Sequence, residues 1–552
     1  MSATTAVKSQ EKVIPPPPPH GAGVRGLSLS RSSLLFGGSF GRIFRALPAA
    51  EFGDTDEESQ KNLSALAKAM VAGFDHPKDG PDAEESGIPA LYTYLGQFVD
   101  HDITFDPASS LQKQNDPDGL VDYRTPKFDL DNVYGRGPDD QPYMYDLSKG
   151  SDKAKFLFGK KLTGAPAINP EAHDLARNGA DPKRAIIGDP RNDENTLVSQ
   201  LQSLFLRFHN RLIEIGLDFE DAQRGLRFHY QWMLINDFLV KLVNKVTLHS
   251  IFPHLESGKS IADAPPRLKV YHAREEAFMP LEFSVAAYRF GHSMVRPGYR
   301  LNDGPRNLLP IFPDPPPKPG EQAPPFSSLR GFTEPAGDWG LDWGRFIDID
   351  SRPNGVMLDD GQKPTPEQDA ENQKRLQLAY RIDTSIVNPL GSLPADVADK
   401  IPSLAERNLL RGWRLRLPSG QAVARAMGAL VLGEGKNPPI LINQFTDDLA
   451  EKDEKKIEQV KEVFKGNCPL WAYCLAETKN HTVTGHADVK SHQLGEVGGR
   501  IVAETFAGLL TFDSQSFFGQ DPRWTPKIGD GKTFGLKEFV QFATGGLSYN
   551  KK

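Results

Sequence analysis

The chain has 552 residues, 38% of them hydrophobic, with 50 glycines, 45 prolines, two cysteines and a formal net charge of −7. With no basic surplus to displace counterions from phosphates, a nucleic-acid binder is excluded, and two cysteines exclude a disulfide framework. The length suits one large domain with tails, much of it loop.

Residues 1–26, with Pro15 to Pro19, lack hydrophobic periodicity and read as a solvated polyproline-type arm. Met1 to Lys12 has no signal-peptide apolar run, and no stretch reaches the ~20 apolar residues of a membrane span. A cytoplasmic location is the default expectation, with secretion by a route lacking an N-terminal signal left open. The domain proper is expected over 27–545, beginning with a surface strap at Leu34 to Gly38 and Gly41 to Phe44. Asn62 to Met70 predicts a short amphipathic helix.

Gly96-Gln97-Phe98-Val99-Asp100-His101-Asp102-Ile103-Thr104, preceded by Leu91, Tyr94 and Leu95, predicts a helix with Gln97 and His101 one turn apart. Four polar residues in six are expensive to bury without partners, so this face points to a cofactor, a metal or a pocket. From composition alone an exposed, charged helix end remains open. Thr125-Pro126-Lys127-Phe128-Asp129-Leu130-Asp131 can offer several oxygens to one hard cation, which Asp102 can complete, although a capped turn rich in Asp uses the same residues.

Gly188 to Asn195 leads into a predicted helix over Thr196 to Gly216, with Arg191 and Glu194 near its start, where charged caps are also common. His209 inside that helix reads as a hydrogen-bonded core histidine. A second long helix is predicted from Gly225 to Val246, with Trp232, Leu234, Phe238, Leu239 and Leu242 on its buried face. A third is predicted from Pro280 to Val295, where Gly291 beside His292 leaves room for a flat cofactor. Residues 304–340 are Pro-rich and aperiodic, suggesting a surface excursion or lid. Leu404 to Gly412, Ala422 to Leu432 and Gly495 to Leu510 predict helices, Asp447 to Lys465 a charged helix, and 546–552 a fraying tail. Cys468 and Cys474, six apart on a predicted helix, are poorly placed to bridge. The fold class is mainly α, one helical domain with long irregular loops and little β-structure.

Five segments taken in order, Gly96 to Asp102, Thr125 to Gly135, Gly188 to Glu194, Tyr288 to His292 and Asn408 to Arg411, resemble the animal-type haem peroxidases of the peroxidase and cyclooxygenase superfamily. The resemblance implies haem b ligated by His292, with Asn408 accepting that histidine's other ring N–H. It also implies a distal side on which His101 moves protons, Arg191 stabilises charge and Gln97 holds water or a small anion. Asp100 and Glu194 match carboxylates that can form haem esters, while Arg289 and Arg411 are placed among haem-contacting residues. Asn195 stands where some relatives carry a sulfonium-forming methionine. Ca²⁺ ligation by Asp102, Thr125, the Lys127 carbonyl, Asp129 and Asp131 is implied too. After Arg411, Gly412-Trp413-Arg414 departs from the Arg-Asp-His run of many peroxidases, and the chain lacks their cysteines.

The activity implied is reduction of hydrogen peroxide with oxidation of halide, thiocyanate or aromatic one-electron donors. A haem fatty-acid dioxygenase is the nearest alternative, but it needs a tyrosine three residues before the proximal histidine, where this chain has Arg289. A catalytically silent, calcium-stabilised adhesion or binding protein is the third reading.

Overall fold

A computed structural model describes residues 38–105, 121–122, 124–165, 168–273, 275–304, 306–314, 323–358, 362–395, 397–398, 401–437, 440, 462–480, 493–531 and 533–550. The proline arm and most of the predicted 447–465 helix lie outside them.

The architecture is helical, with strands of two to five residues in small sheets. The strap is real in its described part. Strand β1 (Gly38–Gly41) pairs in parallel with Met279–Pro280 and antiparallel with Val121–Asp122. The main-chain N–H groups of Ile43 and Phe44 then donate to the buried Glu282 carboxylate at 3.0 Å each.

Helix α1 (Asp56–Met70) starts six residues earlier than predicted, because Thr55 caps it and three acidic residues fill its first turn. Strand β2 (Glu85–Pro89) pairs with Leu378–Tyr380 and feeds α2 (Leu91–Ile103), the helix of the opening motif. Helix α2 is interior: ten of its thirteen residues are buried, so the exposed-end reading falls. It packs on α3 (Thr196–Glu214), where the Phe98 and Phe205 rings stack at 4.1 Å. Burying one such side chain contributes about 1.5–3 kcal/mol. This contact fixes α2 against the segment that carries Arg191 and Glu194.

Helix α4 (Phe219–Met233) also begins earlier than predicted, on the Asp218 cap. It does not run unbroken to Val246. A π-turn, Leu234–Phe238, intervenes before the last turn, Leu239–Leu242, and within it Asp237 accepts from the Tyr92 hydroxyl and the Leu536 amide. His209 is the core histidine expected, held by the Tyr134 hydroxyl and the Ala154 carbonyl.

The predicted helix from Pro280 to Val295 is corrected. One turn, Leu281–Ser284, ends where Ala286 leaves helical geometry (φ −133°, ψ −82°), and a 3₁₀ turn follows over Ala287–His292. The Ser284 carbonyl, released from helical pairing, accepts from Arg289 Nε at 2.8 Å. Helices α5 (Leu404–Arg414), α6 (Gly420–Met427), α7 (Leu470–Asn480) and α8 (Glu496–Thr511) complete the core; α6 stops five residues short of Leu432 at Gly428, which adopts φ +70°. Both cysteines are buried and unbridged.

Two loop expectations sharpen. In the 304–340 segment, Leu308–Pro310 pairs with Gly298–Arg300, and Leu329 and Trp339 are buried while Phe326 and Phe332 are exposed, so its described parts form the surface excursion rather than a lid. The tail is paired as far as Asn550, whose N–H donates to the Lys527 carbonyl at 2.6 Å. Among the described residues no helix is long and apolar enough to cross a membrane.

Candidate active site

A cavity of about 340 Å³ opens between α2, the 3₁₀ turn ending at His292, and the loop carrying Glu194. Gln97, Asp100, His101, Glu194, Arg289 and His292 all line it, with Val295, Ile311, Phe312 and Leu329 among its apolar walls. A broader depression of about 770 Å³ between Lys245 and Arg267 is more open to solvent and holds none of the predicted site residues. Two ties set the depth of the first cavity. The Tyr288 hydroxyl donates to the Gly96 carbonyl on α2 at 3.2 Å, and Arg296, just past His292, donates to Glu85 on β2 at 2.6 Å.

His101 is 5% exposed. Its Nδ1 lies 2.7 Å from Asn192 Oδ1, and the Asn192 amide is oriented in turn by its donation to Gln202 Oε1 at 2.8 Å. An oxygen acceptor at Nδ1 places the ring proton there and leaves the Nε2 lone pair available, 3.5 Å from Glu194 Oε1. Burial, then the charge of Arg191, pulls the imidazole down to about 4, so it is neutral at neutral pH. Burial pushes Glu194 up to about 7. Gln97 Nε2 donates to Glu194, and Gln97 Oε1 accepts from Asn195 Nδ2 at 3.0 Å. Asn195 also caps α3 through the Val198 amide.

Arg191 departs from expectation, for the cavity wall does not include it. Its guanidinium donates to Asp189 Oδ2 and to the His101 carbonyl, at 2.8 and 3.0 Å, and lies 4.7 Å from the centre of the Phe105 ring. Its charge acts on His101 without forming a wall of the pocket.

His292 Nδ1 accepts from Asn408 Nδ2 on α5 at 2.8 Å. The expected pair is formed with the opposite polarity; a half-turn of the amide exchanges its oxygen and nitrogen and gives the N–H···O form. Burial, then Arg289, pulls His292 down to about 3 and keeps it neutral, as metal ligation needs. A Cβ on Gly291 would meet nothing within 4 Å, so space for a flat group exists there. Arg289 lines the cavity, whereas Arg411, one turn beyond Asn408, does not.

The acidic turn comes to α2 as expected. Carboxylate oxygens of Asp102, Asp129 and Asp131 lie within 4.8 Å of one another. Leu130, at φ +62°, bends the turn so that both its aspartates face Asp102. Gly188 packs against the Asp131 and Asn132 carbonyls, where a Cβ would come within 2.6 Å, so the loop that bears Arg191 touches this turn. Both Asp102 oxygens are buried, and burial followed by its two acidic neighbours holds this carboxyl well above the usual range, against the pull of the Tyr230 hydroxyl. Burial likewise lifts Asp131 to about 7, against the pull of Arg124. The Thr125 hydroxyl donates to Asp129 Oδ2 at 2.6 Å.

Residues 109–312 match the family model described as animal haem peroxidase. That stretch of the chain is thus similar to the animal haem peroxidases. Among curated relatives, this chain is 29% identical over 125 residues to Dual oxidase of Drosophila melanogaster, covering 22% of this chain and 8% of that protein. It is 26% identical over 196 residues to the human Probable oxidoreductase PXDNL, covering 33% and 12%. It thus spans about a tenth of these relatives' lengths. Peroxidase A of Dictyostelium discoideum superposes with a TM-score of 0.51 at 15% identity over 92% of this chain and 93% of that one, a likeness of fold. A fatty acid alpha-dioxygenase of Arabidopsis thaliana superposes with a TM-score of 0.46 at 14% identity, over 91% and 75%.

Sequence reasoning missed Asn192 and Gln202, whereas the Pro-rich 304–340 stretch does reach the cavity, through the Leu329 to Phe332 segment, which covers the Glu194 loop. In that segment the Leu329 carbonyl accepts from the Thr196 amide at 2.8 Å, and the Gly331 and Phe332 amides donate to the Glu194 and Asp193 carbonyls at 2.9 and 2.6 Å.

Proposed function

We propose that this protein is a haem peroxidase, of the family it resembles, that reduces hydrogen peroxide and oxidises small donors, either halide and thiocyanate anions or aromatic one-electron reductants. The observation that carries the reading is the pair of neutral imidazoles on one cavity: half-buried His292 anchored by Asn408, and buried His101 held by Asn192 with its Nε2 lone pair available. Haem b, when bound, supplies the redox chemistry. His292 would hold its iron, Arg289 on the cavity wall would contact it, and the carboxylates of Asp100 and Glu194 are the groups available for ester bonds to it.

The chain's own residues do the rest. Neutral His101 takes a proton at Nε2 from one peroxide oxygen and returns it to the other as the O–O bond breaks. The positive charge of Arg191 favours the neutral ring before the reaction and offsets negative charge that develops on the departing oxygen. Gln97, tied to Asn195 and Glu194, orients water or a small anion beside His101. Asp102, Asp129 and Asp131, with the Thr125 and Lys127 oxygens, suit a calcium ion, which would fix the end of α2 next to His101.

Stopped-flow mixing with hydrogen peroxide tests the proposal: the haem spectrum is expected to change within the mixing series and to return on adding bromide, thiocyanate, iodide or a phenol. Oxygen uptake with a fatty acid and no response to peroxide would sink it. The dioxygenase alternative would have to use Tyr288, which lines the cavity but spends its hydroxyl on Gly96 and stacks on Phe283 at 4.5 Å. Tyr288→Phe is therefore expected to leave donor oxidation within about twofold, whereas loss of all activity would point to a tyrosyl radical. Haem extraction with acidified organic solvent is expected to leave the pigment on the protein if the esters form.

A further inference from the structure

The geometry points to Arg124 as a positioning residue that couples the carboxylate cluster to the distal side of the cavity, an inference that rests on the peroxidase reading above. Its guanidinium spans two carboxylates, half-buried Asp131 and buried Asp189. Nη1 lies 3.0 Å from Asp131 Oδ1, while Nε and Nη2 donate to Asp189 Oδ2 at 3.1 and 2.5 Å. Asp189, 1% exposed, is in turn the main partner of Arg191: Oδ1 accepts from the Arg191 amide at 2.8 Å, and Oδ2 accepts from Nη2 at 2.8 Å. Arg191 Nη2 then donates to the His101 carbonyl at 3.0 Å. His101 and Asp102 are consecutive, and Asp102 belongs to the same cluster as Asp131, so the path closes into a ring.

Two features make the ring a coupling device rather than a set of separate ion pairs. Asp189 Oδ2 is shared by both guanidinium groups, so a stronger hold on one weakens the hold on the other. Arg124 is likewise shared between Asp131 and Asp189. A divalent cation on the cluster competes with Arg124 for Asp131, shifts the attraction of Arg124 towards Asp189, and loosens the grip of Asp189 on Arg191. Both signals end beside His101, one through Arg191 and one through the main chain of α2. A lysine has the charge but not the fork, and cannot hold two carboxylates in this geometry.

The test compares wild-type holoenzyme with Arg124→Gln and Arg124→Lys, each with calcium and with a chelator. One readout is the cyanide dissociation constant from the visible spectrum; the other is hydrogen exchange of the Arg191 main-chain amide. In the wild type chelation is expected to change both by about tenfold, and cyanide should change calcium affinity by the same factor as its own affinity changes. In Arg124→Gln the difference is expected to shrink below about twofold, with Arg124→Lys intermediate. A purely structural arginine would lower the melting temperature in both conditions and leave the coupling factor alone. Retention of the tenfold factor in Arg124→Gln overturns the inference, as does a wild type whose Arg191 exchange ignores calcium. Should the glutamine variant not fold, a lysine variant with the wild-type factor overturns it equally. Failure to load haem defeats the peroxidase reading, while calcium-dependent Arg191 exchange that disappears in the glutamine variant still upholds the coupling.

Discussion

Replacing His101 with alanine is expected to slow the reaction with hydrogen peroxide by about a thousandfold, the middle of the range for a positioned acid–base group. Haem content and the Soret band should be unchanged, because His292 and Asn408 lie on other elements, the 3₁₀ turn and α5. The proton transfer depends on one nitrogen. With Nδ1 committed to Asn192 Oδ1, Nε2 is the atom that can take a proton, and burial with Arg191 nearby keeps it unprotonated down to about pH 4. Asn192→Ala should accordingly lower the same rate by a smaller factor, since it removes the tautomer constraint but not the base. Stopped-flow rates that are wild-type in His101→Ala would show that proton transfer runs through another group, and Glu194, 3.5 Å from Nε2, would be the residue to examine next.

The parts of this site that were legible in the sequence are those in which chemistry and local periodicity coincide. Gln97 and His101 repeat at helical spacing, and Asp129 and Asp131 flank Leu130, so their common faces follow from backbone geometry alone. What stayed hidden depends on long-range partners. Asn192 orients His101 across 91 positions, and Arg124 meets Asp189 across 65, neither marked by any local pattern. Arg191 lies beside His101 but is drawn off the cavity wall, and nothing local tells whether Asp189 two positions earlier will turn its carboxylate back onto it. The helix predicted from Pro280 to Val295 failed for a similar reason. Its apolar pattern is helical, but the Glu282 carboxylate is claimed by the main chain of Ile43 and Phe44, and Arg289 takes the Ser284 carbonyl, so tertiary bonds replace helical ones and a 3₁₀ turn delivers His292.

Asp102→Asn is expected to have opposite effects with and without calcium, and that inversion separates a cation ligand from an ordinary buried carboxylate. In the wild type, three acidic side chains face one another within 4.8 Å, and the Asp102 carboxylate is fully buried with the Tyr230 hydroxyl as its neighbouring donor. Two charges at such a separation repel by roughly 3–4 kcal/mol at an effective dielectric near 20, a figure that protonation and the Arg124 guanidinium reduce. An asparagine removes one charge and keeps the shape, so in chelator the variant should unfold at least as late as the wild type, by up to about 1–2 kcal/mol. In calcium the order should reverse. Binding to the folded state alone stabilises the wild type by about 2.7 kcal/mol at a free concentration one hundred times the dissociation constant, and loss of one anionic ligand should remove most of that gain. Scanning calorimetry of both proteins in calcium and in chelator reads the four melting points directly. Equal destabilisation of the variant in both conditions would mean that Asp102 serves the fold through contacts unrelated to a cation. The inverted order would mean instead that α2 is held beside its catalytic histidine by an ion, whose absence is felt one residue away at His101.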